Sequence, residues 1–182
     1  MIWLFLQPHR EEEMQKTSGV FTMKISTKGR YALRMLLDLA EHKEDGFIPL
    51  RDVAERQGIS KKYLEQIVPV LSRAGLLSAS RGFQGGYRLV REPDEYTVGE
   101  ILRLSEGDLF PVACLAKKPN PCERCGECIT LPVWEGLYRV ISEYLDGMTL
   151  QDILSAYPDR SPEGGCCMDE EEQESRGGNF LP

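Results

Sequence analysis

Histidine is nearly absent. His9 and His42 are the only two in the chain. His9 lies in an irregular N-terminal stretch and His42 near a helix end, and neither has an evident acid–base partner, so the commonest general base has no place to work. Dinucleotide, flavin and phosphate-loop motifs are missing too. These absences argue against an enzyme, electron-transfer enzymes included, and leave no site for a small-molecule substrate. Long apolar runs are also lacking. The run Ile2–Leu6 is too short to span a bilayer or to form an export core. A cytoplasmic chain with no membrane contact is therefore expected, and its thiols stay reduced there.

What is present is unevenly distributed. The 41% hydrophobic share is ample for one core, and 182 residues fit one domain with appendages. Formal net charge is -7, but residues 23–91 hold thirteen Lys/Arg against seven Asp/Glu, a net of +6. Residues 92–158 hold five against twelve, a net of −7. A basic segment joined to acidic ones is the asymmetry of a nucleic-acid-binding domain beside a non-binding half, although a solvated surface also produces it.

Residues 1–22 have no clear period and an acidic run, Glu11–Glu13, so they are expected to be a disordered extension from an early start site. From Met23 the pattern is orderly. Ser26 or Thr27 caps a first helix with a broad apolar face from Tyr31 to Ala40. Phe47-Ile48 fits a short strand. A short helix over 51–57 follows, then Gly58 as a turn, then Ser60 capping a third helix with Tyr63, Leu64, Ile67, Val70 and Leu71 at helical spacing. Helix, glycine turn and capped helix make the helix-turn-helix pattern. Pro69 predicts a kink, leaving 61–68 as the straight part that enters a groove. Gly75 stops the helix and a strand over 76–79 begins.

Arg81-Gly82-Phe83-Gln84-Gly85-Gly86 then reads as a tight hairpin, with Arg88 and Arg91 on the return side. Directly after a helix-turn-helix, this is a wing. An arginine on such a hairpin suits the negative potential of a narrow minor groove. Thr97 and Glu100 form a capping-box pattern that opens a helix to about Glu106. Pro132 fits the first turn of another helix reaching Asp146, whose stripe Val133, Leu137, Val140, Ile141, Tyr144 and Leu145 reads as a dimerisation face. Packing within its own chain would produce the same period. Thr149 caps a last helix over 150–156. The residues from Asp159 are acidic and Gly/Ser-rich, a disordered tail, with Cys166 and Cys167 as thiols without a structural role. The fold class is mainly α: a winged helix-turn-helix over 23–91, then a cysteine loop and long dimerisation helix over 92–157, then an acidic tail over 158–182.

Between the last two long helices stands Cys122-Glu-Arg-Cys125-Gly-Glu-Cys128, with Cys114 upstream. Four thiols within so short a stretch can converge on one soft metal centre. Iron–sulfur clusters and a four-thiolate structural zinc both satisfy that chemistry.

Several short motifs now line up. They are Lys28-Gly29-Arg30-Tyr31-Ala32, the turn Ala54-Glu55-Arg56-Gln57-Gly58-Ile59-Ser60, Tyr63-Leu64-Glu65-Gln66, Ala74-Gly75-Leu76, Arg81-Gly82, Gly85-Gly86-Tyr87, Trp134 and Thr149-Leu150. From Met23 to about Leu154 the chain resembles the winged-helix transcription regulators of the Rrf-two family, some of which carry iron–sulfur clusters. The resemblance implies a homodimer on a near-palindromic double-stranded DNA operator. A small dimer with no separate activation domain is expected to be a repressor, with a dual regulator as the other reading. The resemblance places Lys61, Lys62, Glu65 and Gln66 at the major groove and Arg81 in the minor groove. In chemical terms Gln66 can pair with adenine, Glu65 can accept from cytosine N4, and the lysines suit phosphates.

The resemblance also implies that Cys114, Cys122 and Cys128 ligate a 2Fe–2S or 4Fe–4S cluster that gates DNA binding. The sequence departs from that pattern at Leu131, which stands where one cluster-binding member has a ligating histidine. Cys125 is an extra thiol that can supply the fourth ligand, or the ligand comes from elsewhere, the partner subunit included. A structural zinc, or control by a protein partner, is the alternative.

Overall fold

Helix α1, Thr27–Glu41, starts at Ser26, whose hydroxyl accepts a hydrogen bond from the Lys28 amide at 3.1 Å. The structure is a computed structural model and describes residues 24–82 and 85–156. The extension, the tail with Cys166 and Cys167, and the wing-tip pair Phe83-Gln84 lie outside the described residues. Helix α1 carries the core: Ala32, Met35, Leu36 and Leu39 are almost fully buried on it.

Helices α2, Leu50–Gln57, and α3, Lys61–Arg73, pack on α1. Gly58 joins them in the left-handed region, φ 59°, where a side chain would be strained. Ser60 caps α3 by accepting from the Tyr63 amide. The helix runs on through Pro69 to Arg73. Pro69 is exposed, so the Glu65 carbonyl that loses its partner faces water. Helix α3 ends in a Schellman motif at Gly75, with Leu76 N–H donating to Leu71 O and Gly75 N–H to Ser72 O.

Strands β1, Leu77–Ser80, and β2, Gly86–Leu89, pair antiparallel from Leu77 opposite Leu89 to Ser80 opposite Gly86. The strand begins one residue later than the sequence pattern implies, because Leu76 is taken up by the helix stop. The short strand expected at Phe47-Ile48 is a one-residue bridge: Ile48 and Tyr87 exchange both backbone hydrogen bonds, each 2.9 Å. Gly86 has to be glycine here, since a Cβ would overlap the Ile48 carbonyl.

Tyr96 closes the open end of the sheet. It is fully buried; its hydroxyl donates to Leu76 O and accepts from Val90 N and Arg91 N, each at 2.9 Å. Helix α4, Val98–Glu106, follows, with Thr97 accepting from the Glu100 amide at 3.1 Å. Only half of the expected capping box forms. The Glu100 carboxylate turns instead to Arg91, 2.8 Å away, and ties the exit of the wing to α4.

Two further charges on α4 reach other elements. Arg103 makes a two-pronged pair with Asp146 on helix α5, Leu131–Gly147. Glu106 accepts from Ser26 Oγ at 2.7 Å and from the Gly29 amide at 2.8 Å, placing an anion on the first turn of α1. Helix α6, Leu150–Ala156, packs back on α1, with Leu150 fully buried. One main core thus contains residues from both sides of position 91: Tyr96, Ile101 and Leu150 join Leu64, Ile67 and Leu71.

Candidate DNA-binding face and cysteine loop

Helix α3 divides its residues cleanly. Leu64, Ile67, Val68 and Leu71 are buried against α1, while Lys61, Lys62, Glu65 and Gln66 are exposed on the opposite side of the first turns. Lys61 and Glu65 stand 3.6 Å apart one turn away from each other, both more than half exposed. Such a pair is worth about 0.3–0.5 kcal/mol, so it exchanges readily for contacts to a polyanion.

The wing carries three arginines with different commitments. Arg88 stacks over the Phe47 ring at 4.6 Å. Arg91 is taken by Glu100 and by the face of Tyr96, 4.4 Å from the ring centroid. Arg81, at the end of β1, is exposed and makes no ion pair with any described residue. It is the wing arginine left for an external anion.

The cysteine loop joins α4 to α5. Cys114 sits in a short 3₁₀ turn, Ala113–Leu115. The Cys122 amide donates to Asn120 Oδ1 at 2.9 Å, and the Cys125 amide to Cys122 O at 3.0 Å. Cys128 Sγ lies 3.4 Å from the Thr130 hydroxyl, and hydrogen bonds from Thr130 hold its thiol below the ordinary pKa, favouring thiolate. All four are free thiols, partly exposed.

As donors, four thiolates fit a soft metal centre. As placed, Cys122 and Cys125 share one turn while Cys114 and Cys128 lie outside it, and among the described residues no three of His, Cys, Asp or Glu lie close enough together to hold a metal ion. Ligation by three or four of them would bring these thiols closer together than they stand. Leu131 opens α5 and offers no ligating atom.

Helix α5 buries Leu145 only, with Ile141 partly covered. Val133, Leu137, Val140 and Tyr144 remain 60%, 42%, 56% and 52% exposed. Their spacing of four, three and four makes one apolar stripe along the helix.

The family model described as "Iron-dependent Transcriptional regulator", Rrf2, matches residues 25–156. The chain is a member of the Rrf2 family. The HTH-type transcriptional regulator IscR of Aliivibrio salmonicida is 41% identical over 132 residues, 72% of this chain and 77% of that protein. Protein rrf2 of Nitratidesulfovibrio vulgaris is 36% identical over 72% of this chain and 87% of its own length. Among solved structures, T. potens IscR superposes with a TM-score of 0.60 at 40% identity, covering 76% of this chain and 93% of that one. CymR of B. subtilis, described as a global cysteine regulator, gives 0.61 at 38% identity, covering 73% and 97%.

The family model and the IscR of Aliivibrio salmonicida are described as transcriptional regulators, and this Rrf2 chain is a winged helix-turn-helix regulator, not an enzyme. No helix among its described residues is long and apolar enough to cross a membrane. The sequence pattern passes over Asp38 and Glu106, which hold the Rrf2 fold together through partners far along the chain. For Asp38 there is a signal: it is the one charge inside the apolar run Met35–Ala40.

Proposed function

We propose that this Rrf2 regulator binds a near-palindromic DNA operator as a homodimer, represses transcription there, and is gated by an iron–sulfur cluster on the cysteine loop. The observation that carries the reading is the first half of α3. Its apolar side is locked into the core while Lys61, Lys62, Glu65 and Gln66 are exposed. The starting residues of a recognition helix reach base edges, so Glu65 and Gln66 choose sequence and the lysines neutralise phosphates. Arg81 supplies the minor-groove contact. The exposed stripe of α5 supports pairing with a second copy, and two copies match a two-fold operator. The winged helix-turn-helix unit over 23–91 and the loop and helices over 92–157 divide these tasks.

Cys114, Cys122 and Cys128 would hold the cluster, with Cys125 as the fourth thiolate. When bound, the cluster supplies a centre that responds to iron and oxidant. Gathering Cys114 and Cys128 onto the turn of Cys122 and Cys125 would redraw the loop between α4 and α5. A state that binds DNA better than the other is all that gating needs. The family description as iron-dependent supports iron over zinc.

The test begins with visible absorption of protein purified without oxygen, with iron, sulfide and zinc counted on the same sample. Iron and sulfide in matching amounts support the cluster; stoichiometric zinc without colour supports a structural metal instead. Operator affinity is then compared between holo protein and Cys122→Ala. Equal affinities overturn the gating.

A further inference from the structure

The turn between α2 and α3 is held from outside by one stripe of α1. Tyr31, Arg34 and Asp38 lie three and four positions apart, so they share a face. Asp38 is a carboxylate only 1% exposed. Arg56 grips it with two hydrogen bonds, Nη2 to Oδ1 at 2.6 Å and Nε to Oδ2 at 3.0 Å. Gln57 Nε2 donates to the same Oδ2 at 3.0 Å. Arg34 meets Gln57 from the other side: Nε donates to Oε1 at 3.2 Å and Nη2 to the Gln57 carbonyl. That carbonyl is among the last of α2, where no amide follows in helical register to bond it. Arg34 also lies over the Tyr31 ring, 5.6 Å from its centroid, and Tyr31 meets Tyr63 of α3 edge-on at 5.3 Å.

We infer that Arg34 is a positioning residue for DNA reading: with Gln57 and Asp38 it fixes the last turn of α2, and through it the angle at which α3 is presented. Gln57 is the element that makes this specific, since every polar group of its side chain and its carbonyl is committed to α1. The residue that follows is Gly58, the one soft joint of the motif. With Gln57 pinned immediately before that joint, Ile59 buried after it and Ser60 capping α3 next, little freedom is left between the two helices. Arg34 is exposed, so a phosphate contact is the competing role for its charge. The two roles differ in chemistry. A phosphate accepts any cation, whereas the two-pronged bond to Gln57 needs a guanidinium, which lysine cannot imitate.

The inference rests on the reading of α3 as the recognition helix, and the experiment keeps the two apart. The full-length wild type first selects a duplex from a randomised pool. Dissociation constants on that duplex and on an unselected one are measured against salt for wild type, Arg34→Lys, Arg34→Ala and Gln66→Ala, with thermal melting of each. Arg34→Lys and Arg34→Ala are both expected to lose about tenfold on the selected duplex, with little change on the unselected one and an unchanged salt slope. If Arg34→Lys binds as wild type while Arg34→Ala lowers the slope by about one, Arg34 is a phosphate contact and the inference is wrong. Wild-type selectivity in both variants also overturns it. Should substitution at Arg34 unfold the chain, Gln57→Met replaces it: the same selective loss supports the inference, and retained selectivity ends it. Gln66→Ala is the control for the underlying reading. If it loses selectivity and Arg34→Lys does not, positioning alone falls. If neither loses it, the recognition-helix reading falls and takes the inference with it.

Discussion

The helix-turn-helix and the cysteine loop are built by opposite rules. In the first, long-range side-chain bonds close the joints. Asp38 bonds residues eighteen and nineteen positions on, Tyr96 reaches twenty back to Leu76, and Glu106 reaches seventy-seven back to Gly29. In the loop, the hydrogen bonds between Gly107 and Leu131 join residues no more than three positions apart. Its buried apolar anchor is Leu109, with Phe110 meeting the Tyr138 ring of α5 at 4.7 Å. The difference teaches where stability resides. The helix-turn-helix is over-determined by tertiary contacts. The cysteine loop carries few of them, which is how a segment that opens at low cost is built.

The strongest way to break that comparison is Asp38→Ala. It leaves Arg56 and Gln57 without their acceptor beside the core, and a loss of about 3 kcal/mol is expected in urea unfolding. A loss within about 0.5 kcal/mol would mean that the network holds nothing. Tyr96→Phe should cost about 2 kcal/mol, since one hydroxyl serves two amides and a carbonyl. Its signature is faster amide exchange at Val90 and Arg91, which hydrogen exchange by NMR reads directly. At the small end, changing Cys114, Cys122, Cys125 and Cys128 together to Ser in metal-free protein should move stability by less than about 0.5 kcal/mol. A larger loss would show that the loop supports the fold in its own right and erase the contrast.

What the sequence makes legible follows the same division. Ser26, Ser60 and Thr97 act as caps and Gly58 and Gly75 as stops where the local pattern puts them, because capping is chemistry between near neighbours. The exposure of Lys61, Lys62, Glu65 and Gln66 also follows from helical period alone. Arg34 and Glu106 stay hidden, and Asp38 shows only as a charge in an apolar run, because their partners become neighbours only once three helices have packed. Glu100 shows the limit from the other side. Its spacing from Thr97 fits a capping box, yet Arg91 outcompetes that local bond. The cysteines are legible as donors and not as a site: spacing gives their chemistry, while convergence depends on the course of a loop that local turns leave undetermined.

Helix α4 has a mechanical consequence. Glu100, Arg103 and Glu106 follow at intervals of three and grip the wing exit, α5 and the start of α1. Two attachments would leave a rod free to pivot about the line between them. Three attachments to three separate bodies remove that pivot, so α4 behaves as a keystone: it cannot roll or slide without strain reaching the wing, α5 and the first helix at once.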